Sequence, residues 1–371
     1  MAMIHYDGPL GTFDYDDEMY EIIDCDELEI LNTDDEFDEM FTFSGRECLH
    51  FKDDYVGPID LPKGITDCTA LFCGCEIKDG CYFRNFNTSD VTNMQYMFAG
   101  ADLPHIFSLG NNFDTSNVID MNHMFYNASG YRSTRFALGK KFDTSKVKNM
   151  NGMFKAFFMT DGFKLGDKFD TSNVIDMSYM FAGCIMSDFF TLGDNFDTSK
   201  VKTMKCMFAD GFDTDADPQR CEMPRNFTLG NKFNTINVED MERMFFGCWL
   251  SDNLSLGNNF DTSNVINMAS MFECTTLPKD FVLNDKFDTS NVKDMSRIFF
   301  MCVMSDNFTL SNKFDISNTE NIKDMFRECI FPNNNTSLKE LPVEIVINIL
   351  KSISKTKDKM PEKPGINQEE R

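Results

Sequence analysis

The sequence predicts an α/β repeat solenoid with one short strand and one short helix in every 27-residue unit. Three observations carry that expectation. A thirteen-residue motif, F-[DN]-T-S-[NK]-V-x-[DN]-M-x-x-M-F, recurs from Phe86, Phe113, Phe142, Phe169, Phe196, Phe233, Phe260, Phe287 and Phe314. A shorter segment, F-x-L-[GNS], precedes each motif from Phe113 onward (as Leu254-Ser255-Leu256 in one copy), with its final Leu always four residues before the motif Phe. The composition is skewed to match, with 39 Phe and 26 Met but a single Trp in 371 residues. Self-similarity at one period fixes a repeat architecture more firmly than local propensity does.

The helix is read from the second half of the motif. Val174, Met177, Met180 and Phe181 fall at i, i+3, i+6 and i+7, a spacing that suits one face of a short helix. Thr171 and Ser172 stand where capping hydroxyls would, and Asp176 where an acid would suit the helix dipole. The two residues between the methionines vary freely (Gln95-Tyr96, Asn122-His123, Lys205-Cys206, Glu242-Arg243), which predicts an outer, solvated face and places Ser178 on it. The strand is read from F-x-L, whose alternation predicts two inward residues flanking an outward one. That outward column is Ser108, Ala137, Lys164, Thr191, Thr228, Ser255, Val282 and Thr309. It is small and mostly uncharged, and it is the candidate partner-binding surface.

The steps between motifs are 27 or 29 residues, except for one of 37. The extra residues fall between the last motif Phe and the next F-x-L, so insertions enter one connecting loop, around 210–225. Ile65, Cys68, Leu71 and Phe72 form a degenerate copy one step before Phe86. Leu341, Val346, Ile349 and Ile353 continue the phase beyond Phe314, as an atypical end unit would. The expected organisation is an acidic N-terminal region at 1–58, the repeat array at 59–330, a capping helix at 331–354 and a polar tail at 355–371.

Period, strand and helix together match leucine-rich-repeat geometry. The wording of the motif, F-D-T-S-N-V-x-D-M-S-x-M-F-x-G-C, resembles the repeat of BspA-like leucine-rich-repeat proteins, with Phe in the place of their usual Trp. The resemblance covers about 60–330. It implies a right-handed solenoid used for adhesion or protein contacts, of a kind found in bacterial and mycoplasmal surface proteins, protists and large DNA viruses. Surface members carry a signal peptide or a lipid-modified Cys; the first cysteine here, Cys25, lies in an acidic stretch. The expectation is therefore an intracellular protein, cytoplasmic or within a virion.

Charge narrows the function. The chain carries a net −25, and residues 1–54 account for −16 of it, with 11 Asp and 7 Glu against Arg46 and Lys52. Such a field repels phosphate backbones and argues against nucleic-acid binding. No stretch approaches the roughly 20 apolar residues of a membrane span. The opening residues lack a basic and an apolar run, so no secretory leader is expected and the 13 cysteines are expected as thiols. A partner for the acidic head would be basic, or part of a large assembly.

Other constellations point away from chemistry. Cys68, Cys73, Cys75 and Cys81 cluster, but at spacings that match no common zinc knuckle. A column of small residues three past the last motif Phe (Cys75, Ala101, Ala128, Phe157, Cys184, Gly211, Cys248, Thr275, Cys302, Cys329) reads as buried packing. Asp213, Asp215 and Asp217 fail as a calcium loop because Pro218 and Pro224 stand where Gly and Glu are needed. The motif Asp column (Asp114, Asp143, Asp170, Asp197, Asp261, Asp288, Asp315) is expected to bond its own turn. His5, His50, His105 and His123 pair with no nucleophile, and there is no phosphate-binding or zinc-protease motif. No catalytic residue, cofactor, metal or small-molecule substrate is expected. The function expected is a non-enzymatic protein-interaction scaffold. Alternatives are a structural component of a virion or other assembly, and a ubiquitin-ligase adaptor, because Leu341-Pro342-Val343-Glu344-Ile345 resembles the start of an F-box.

Overall fold

The computed structural model describes the backbone at 3–8, 11–16, 20–24 and 47–51, and the chain at 56–61, 65–83, 86–128, 135–210, 221–305 and 308–331. Among the described residues, eight short strands lie in four two-stranded sheets. In the head, β1 (Met3–Gly8) pairs antiparallel with β2 (Gly11–Asp16), and β3 (Tyr20–Asp24) with β4 (Glu47–Phe51). Within the array, β5 (Pro58–Ile59) pairs parallel with β6 (Tyr82–Phe83), and β7 (Ile106–Ser108) with β8 (Arg135–Ala137).

The described residues contain no helix, which overturns the α/β solenoid with a helix in each repeat. The segment read as helical is a run of turns. In the repeat at Phe169, alternate N–H groups leave their own repeat: Met177, Tyr179, Phe181 and Gly183 donate to the carbonyls of Thr203, Lys205, Met207 and Ala209 at 2.8–3.1 Å. The residues between them, Met180, Ala182 and Cys184, donate three residues back within the repeat, at 3.0–3.3 Å. An α-helix would send every one of those donors four residues back.

Two left-handed residues in most repeats make this possible. Tyr179 has φ 57° and Gly183 φ 63°, each third in a four-residue turn where a positive φ is required. The first position recurs at Ala70, Tyr96, His123, Gly152, Cys206, Arg243, Ser270, Arg297 and Asp324. The misreading has a geometric cause. On a helix turning about 100° per residue, positions i and i+6 stand about 120° apart. Val174 and Met180 are both fully buried because each step from Val to Met to Met is three residues of turn, not part of a helical sweep.

Repeats stack in parallel, joined by β-bridges that run without a break through Asp67, Asn93, Asp120, Asn149, Asp176, Thr203, Asp240, Asn267, Asp294 and Asn321. A second series links Phe158, Ile185, Glu222, Trp249, Thr276, Val303 and Ile330. Adjacent repeats are thus about 4.8 Å apart along these lines. The degenerate unit at Ile65–Phe72 is a true member of the stack, buried at all four of its motif positions.

The core is one continuous cluster of the motif Phe, Val, Met, Met and Phe columns together with the F-x-L residues. Phe rings stack along it: Phe98 on Phe125 at 5.5 Å, Phe125 on Phe154 at 5.7 Å, Phe272 on Phe299 at 5.6 Å. Such offset aromatic stacks add to the area they bury. The motif Thr was expected to cap a helix. It is instead a clamp between repeats: Thr88 Oγ1 donates to the Asp114 carbonyl at 2.8 Å and accepts the Asp114 N–H at 2.8 Å. The same buried hydroxyl donates from Thr115, Thr144, Thr171 and Thr235.

The expected outer face also needs correction. Tyr96, His123 and Cys206 are buried, because the left-handed turns fold these side chains back over neighbouring repeats. Ser178 is 5% exposed, and its hydroxyl meets Thr203 Oγ1 at 2.9 Å. A charge there is costly rather than silent. The ten-residue insertion lies between Asp210 and Cys221, so the small buried column passes through Cys221 and not Gly211. Residues 332–371, with the expected cap, polar tail and F-box-like sequence, lie outside the described residues, as does the insertion itself.

Candidate protein-interaction face

The F-x-L segments put the candidate column on the surface. Ser108, Ala137, Lys164, Thr191, Thr228, Ser255, Val282 and Thr309 are all exposed, between Phe or Leu neighbours that are buried except for the half-buried Leu310. Strand pairing, however, covers only part of the column. Ser108 pairs with Ala137 in β7 and β8, and no strand is formed at the later segments among the described residues.

The reason is local. Phe163, Phe190, Phe227 and Phe281 each donate their N–H three residues back, to Thr160, Ser187, Pro224 and Pro278, at 2.9–3.0 Å. A donor spent inside its own repeat is lost to the ladder. Ring spacing follows: Phe107 and Phe136, on paired strands, lie 5.2 Å apart, but Phe163 and Phe190 are separated by 6.0 Å, and Phe190 and Phe227 by 6.3 Å. The repeats spread apart at this edge. Among the described residues the N–H groups of Lys164, Thr191 and Thr228 donate to nothing. The column therefore presents small side chains and unspent backbone donors together.

The acidic columns are structural. Asp114, Asp143, Asp170 and Asp197 each accept the N–H two residues ahead at 2.8–3.1 Å, as expected for Asx turns. Hydrogen bonds from Ser116 and the nearby Lys141 hold the Asp114 carboxyl below its usual range, against a burial effect that would raise it. The bridge column repeats the device, as in Ser178 N–H to Asp176 Oδ1 at 2.8 Å. Its residues alternate acid and amide along most of the stack, and the amide donates to its neighbour: Asn149 Nδ2 to Asp120 Oδ2 at 3.2 Å and Asn321 Nδ2 to Asp294 Oδ2 at 3.0 Å. That alternation is legible in the sequence as soon as the copies are aligned. Where Thr203 breaks it, burial and the neighbouring Glu242 and Asp176 raise the Asp240 carboxyl.

The cysteine groups are packing. Cys68, Cys73, Cys75 and Cys81 are buried, and burial pushes the Cys73 thiol up to about 12. Cys184 and Cys248 donate to the carbonyls of Phe157 and Cys221 at 2.9 and 3.3 Å. Among the described residues no three His, Cys, Asp or Glu side chains are placed to hold a metal ion. His123 lies between Tyr96, stacked at 4.9 Å, and Tyr126, and its burial lowers the imidazole to about 3. No helix among the described residues is long and apolar enough to cross a membrane.

Against known families, three overlapping stretches, 37–159, 133–226 and 219–341, match the family described as Mycoplasma protein of unknown function, DUF285. The chain belongs to this family. DUF285 is a family of BspA-like surface repeats, so the resemblance of the motif holds at the level of the repeat. The match reaches neither a leucine-rich-repeat family nor a viral source. A search of curated proteins and a search of solved structures each gave no match. In this DUF285 chain the matched stretches tile the stack from the acidic head to beyond its last bridged repeat.

Proposed function

We propose that the chain is a non-enzymatic protein-interaction scaffold whose F-x-L face makes the main contact. One observation carries this reading: an exposed column of small, largely uncharged side chains recurs repeat after repeat, and at Lys164, Thr191 and Thr228 the backbone N–H donates to nothing among the described residues. A row of small, largely uncharged side chains lets another protein surface approach closely. The acidic head makes association salt-sensitive, because a charge of −16 steers a basic surface but is too hydrated to pack tightly. An intracellular setting fits the described cysteines, of which ten are buried, with no disulfide formed among the described residues.

The test is a comparison of affinity-purified partners from wild type and from Thr191→Lys with Thr228→Lys. Both side chains are exposed, so the double variant should fold normally. Partners held by this face should be depleted at least about tenfold, the effect of about 1.4 kcal/mol. Equal recovery from the two proteins would remove the face from the binding surface.

A further inference from the structure

The residue before the motif Val and the residue after it both point outward, two apart on the same face. Most repeats carry an amide or acid first, and Ile, Glu or Thr second: Asp90/Thr92, Asn117/Ile119, Asn173/Ile175, Asn237/Glu239, Asn264/Ile266, Asn318/Glu320. Two repeats carry lysine at both positions, Lys146 with Lys148 and Lys200 with Lys202. One repeat lies between them. Backbone hydrogen bonds fix the order, Ile175 N–H to the Lys148 carbonyl and Lys202 N–H to the Ile175 carbonyl, both 2.8 Å. Two rung steps and a two-residue separation therefore set the Cα atoms of the four lysines at the corners of a rectangle about 7 by 10 Å. Asn173 and the exposed Ile175 lie inside it.

Their charge is only partly answered. Lys146 and Lys200 donate to the neutral amides of Asn117 and Asn173, at 2.7 and 2.6 Å. Lys202 pairs with Glu239 at 2.6 Å. Lys148 has no ion pair among the described residues. Asp120 and Asp176 on the adjoining bridge column keep their charge but form no ion pair with these lysines among the described residues, being hydrogen-bonded to Gln95 and Asn149 and to the Ser178 N–H. A chain of net −25 thus holds a basic square in the middle of its stack.

We propose that this square is a docking surface for the acidic head of a second copy of the chain. Charge complementarity selects the occupant, since the head carries −16 and its acids are interspersed with Leu28, Ile30, Leu31 and Phe37, side chains that suit the exposed Ile175. A phosphate backbone would match the lysines but not the isoleucine. At physiological salt, charges beyond about 8 Å are screened, so the local match outweighs the like net charges of the two copies. The proposal rests on the reading of the head as the salt-sensitive element, and is independent of the F-x-L face.

The experiment is sedimentation velocity of the full chain at about 50 mM and about 500 mM salt. Three proteins are compared: wild type, a square variant (Lys146→Gln, Lys148→Gln, Lys200→Gln, Lys202→Gln) and a head variant (Asp34→Asn, Asp35→Asn, Glu36→Gln, Asp38→Asn, Glu39→Gln). Wild type should self-associate at the lower salt and separate at the higher. Each variant alone should be monomeric at both. An equimolar mixture of the two should regain association, because one supplies the head and the other the square. The idea is overturned if wild type is monomeric at low salt, if the square variant still associates, or if the mixture does not recover. Single-stranded DNA of matched charge displacing the head would overturn it too, assigning the square to nucleic acid. Thr191→Lys with Thr228→Lys should leave self-association unchanged, so a failure here is separable from a failure of the F-x-L reading.

Discussion

His123 shows how much one residue in this array can carry. Its backbone is left-handed, with φ 52°, and its ring stacks on Tyr96 while lying over Gly152. A Cβ added at Gly152 would overlap that ring, and Gly152 itself has φ 57°, so glycine serves both space and conformation. Burial, with the Lys155 charge second, lowers the imidazole from 6.5 to about 3. The folded protein therefore resists a proton that the unfolded chain accepts. Stability contributed by the neutral ring is complete above pH 6.5 and is lost as pH falls from there towards 3. Wild type should lose up to about 1.4 kcal/mol per pH unit across that window, and His123→Gln should show a shallower slope. Denaturant melts at pH 7, 6 and 5 measure the difference. Parallel slopes would mean that the ring gains access to solvent at low pH.

At the scale of the element, the unit is the four-residue turn with a positive φ in third place. The second such position, in every repeat but that of Phe196, is Gly74, Gly100, Asn127, Ala156, Gly183, Gly247, Cys274, Met301 or Glu328. Glycine recurs there because an L side chain is strained at that φ. Met301, at φ 53° and 47% exposed, has strain and little packing to offset it. Met301→Gly should raise stability by about 0.5–1 kcal/mol, whereas Gly in a true helix interior would lower it by about as much. The sign of that change in a thermal melt separates a turn from a helix. The sequence held a clue to the distinction. Val, Met and Met stand three apart, a period too short for a helix, and Gly appears repeatedly where a helix would be continuing. Periodicity of the buried columns was legible; handedness of the backbone was not, because Tyr96, His123 and Arg297 are not residues whose type announces a positive φ. The F-x-L alternation was legible for the same reason as the columns. Its missing strand pairing was not, since it depends on whether Phe163 or Phe190 donates within its repeat or to the next.

For the whole molecule, each repeat is bonded only to its neighbours, so stability should be transmitted one step at a time. Met177 is fully buried in the middle of the stack. Met177→Asp places an unpaired charge there, at a cost of several kcal/mol. Hydrogen exchange should show protection lost first in the repeats flanking Phe169 and least at the repeats of Phe86 and Phe287. Uniform loss along the chain would mean all-or-none coupling instead.

The alternation of acid and amide along the bridge column gives the stack a parity. Asp67, Asp120 and Asp176 are separated by Asn93 and Asn149, so the chemical repeat is two structural repeats long. Loss of a single unit, such as the one carrying Asn149, would bring the carboxylates of Asp120 and Asp176 onto adjacent rungs about 4.8 Å apart. Loss or gain of two units leaves the order intact. Loss of one acid-bearing unit, such as that of Asp120, would instead leave two neutral amides adjacent, so the column's electrostatics resist the loss of an amide-bearing unit in particular.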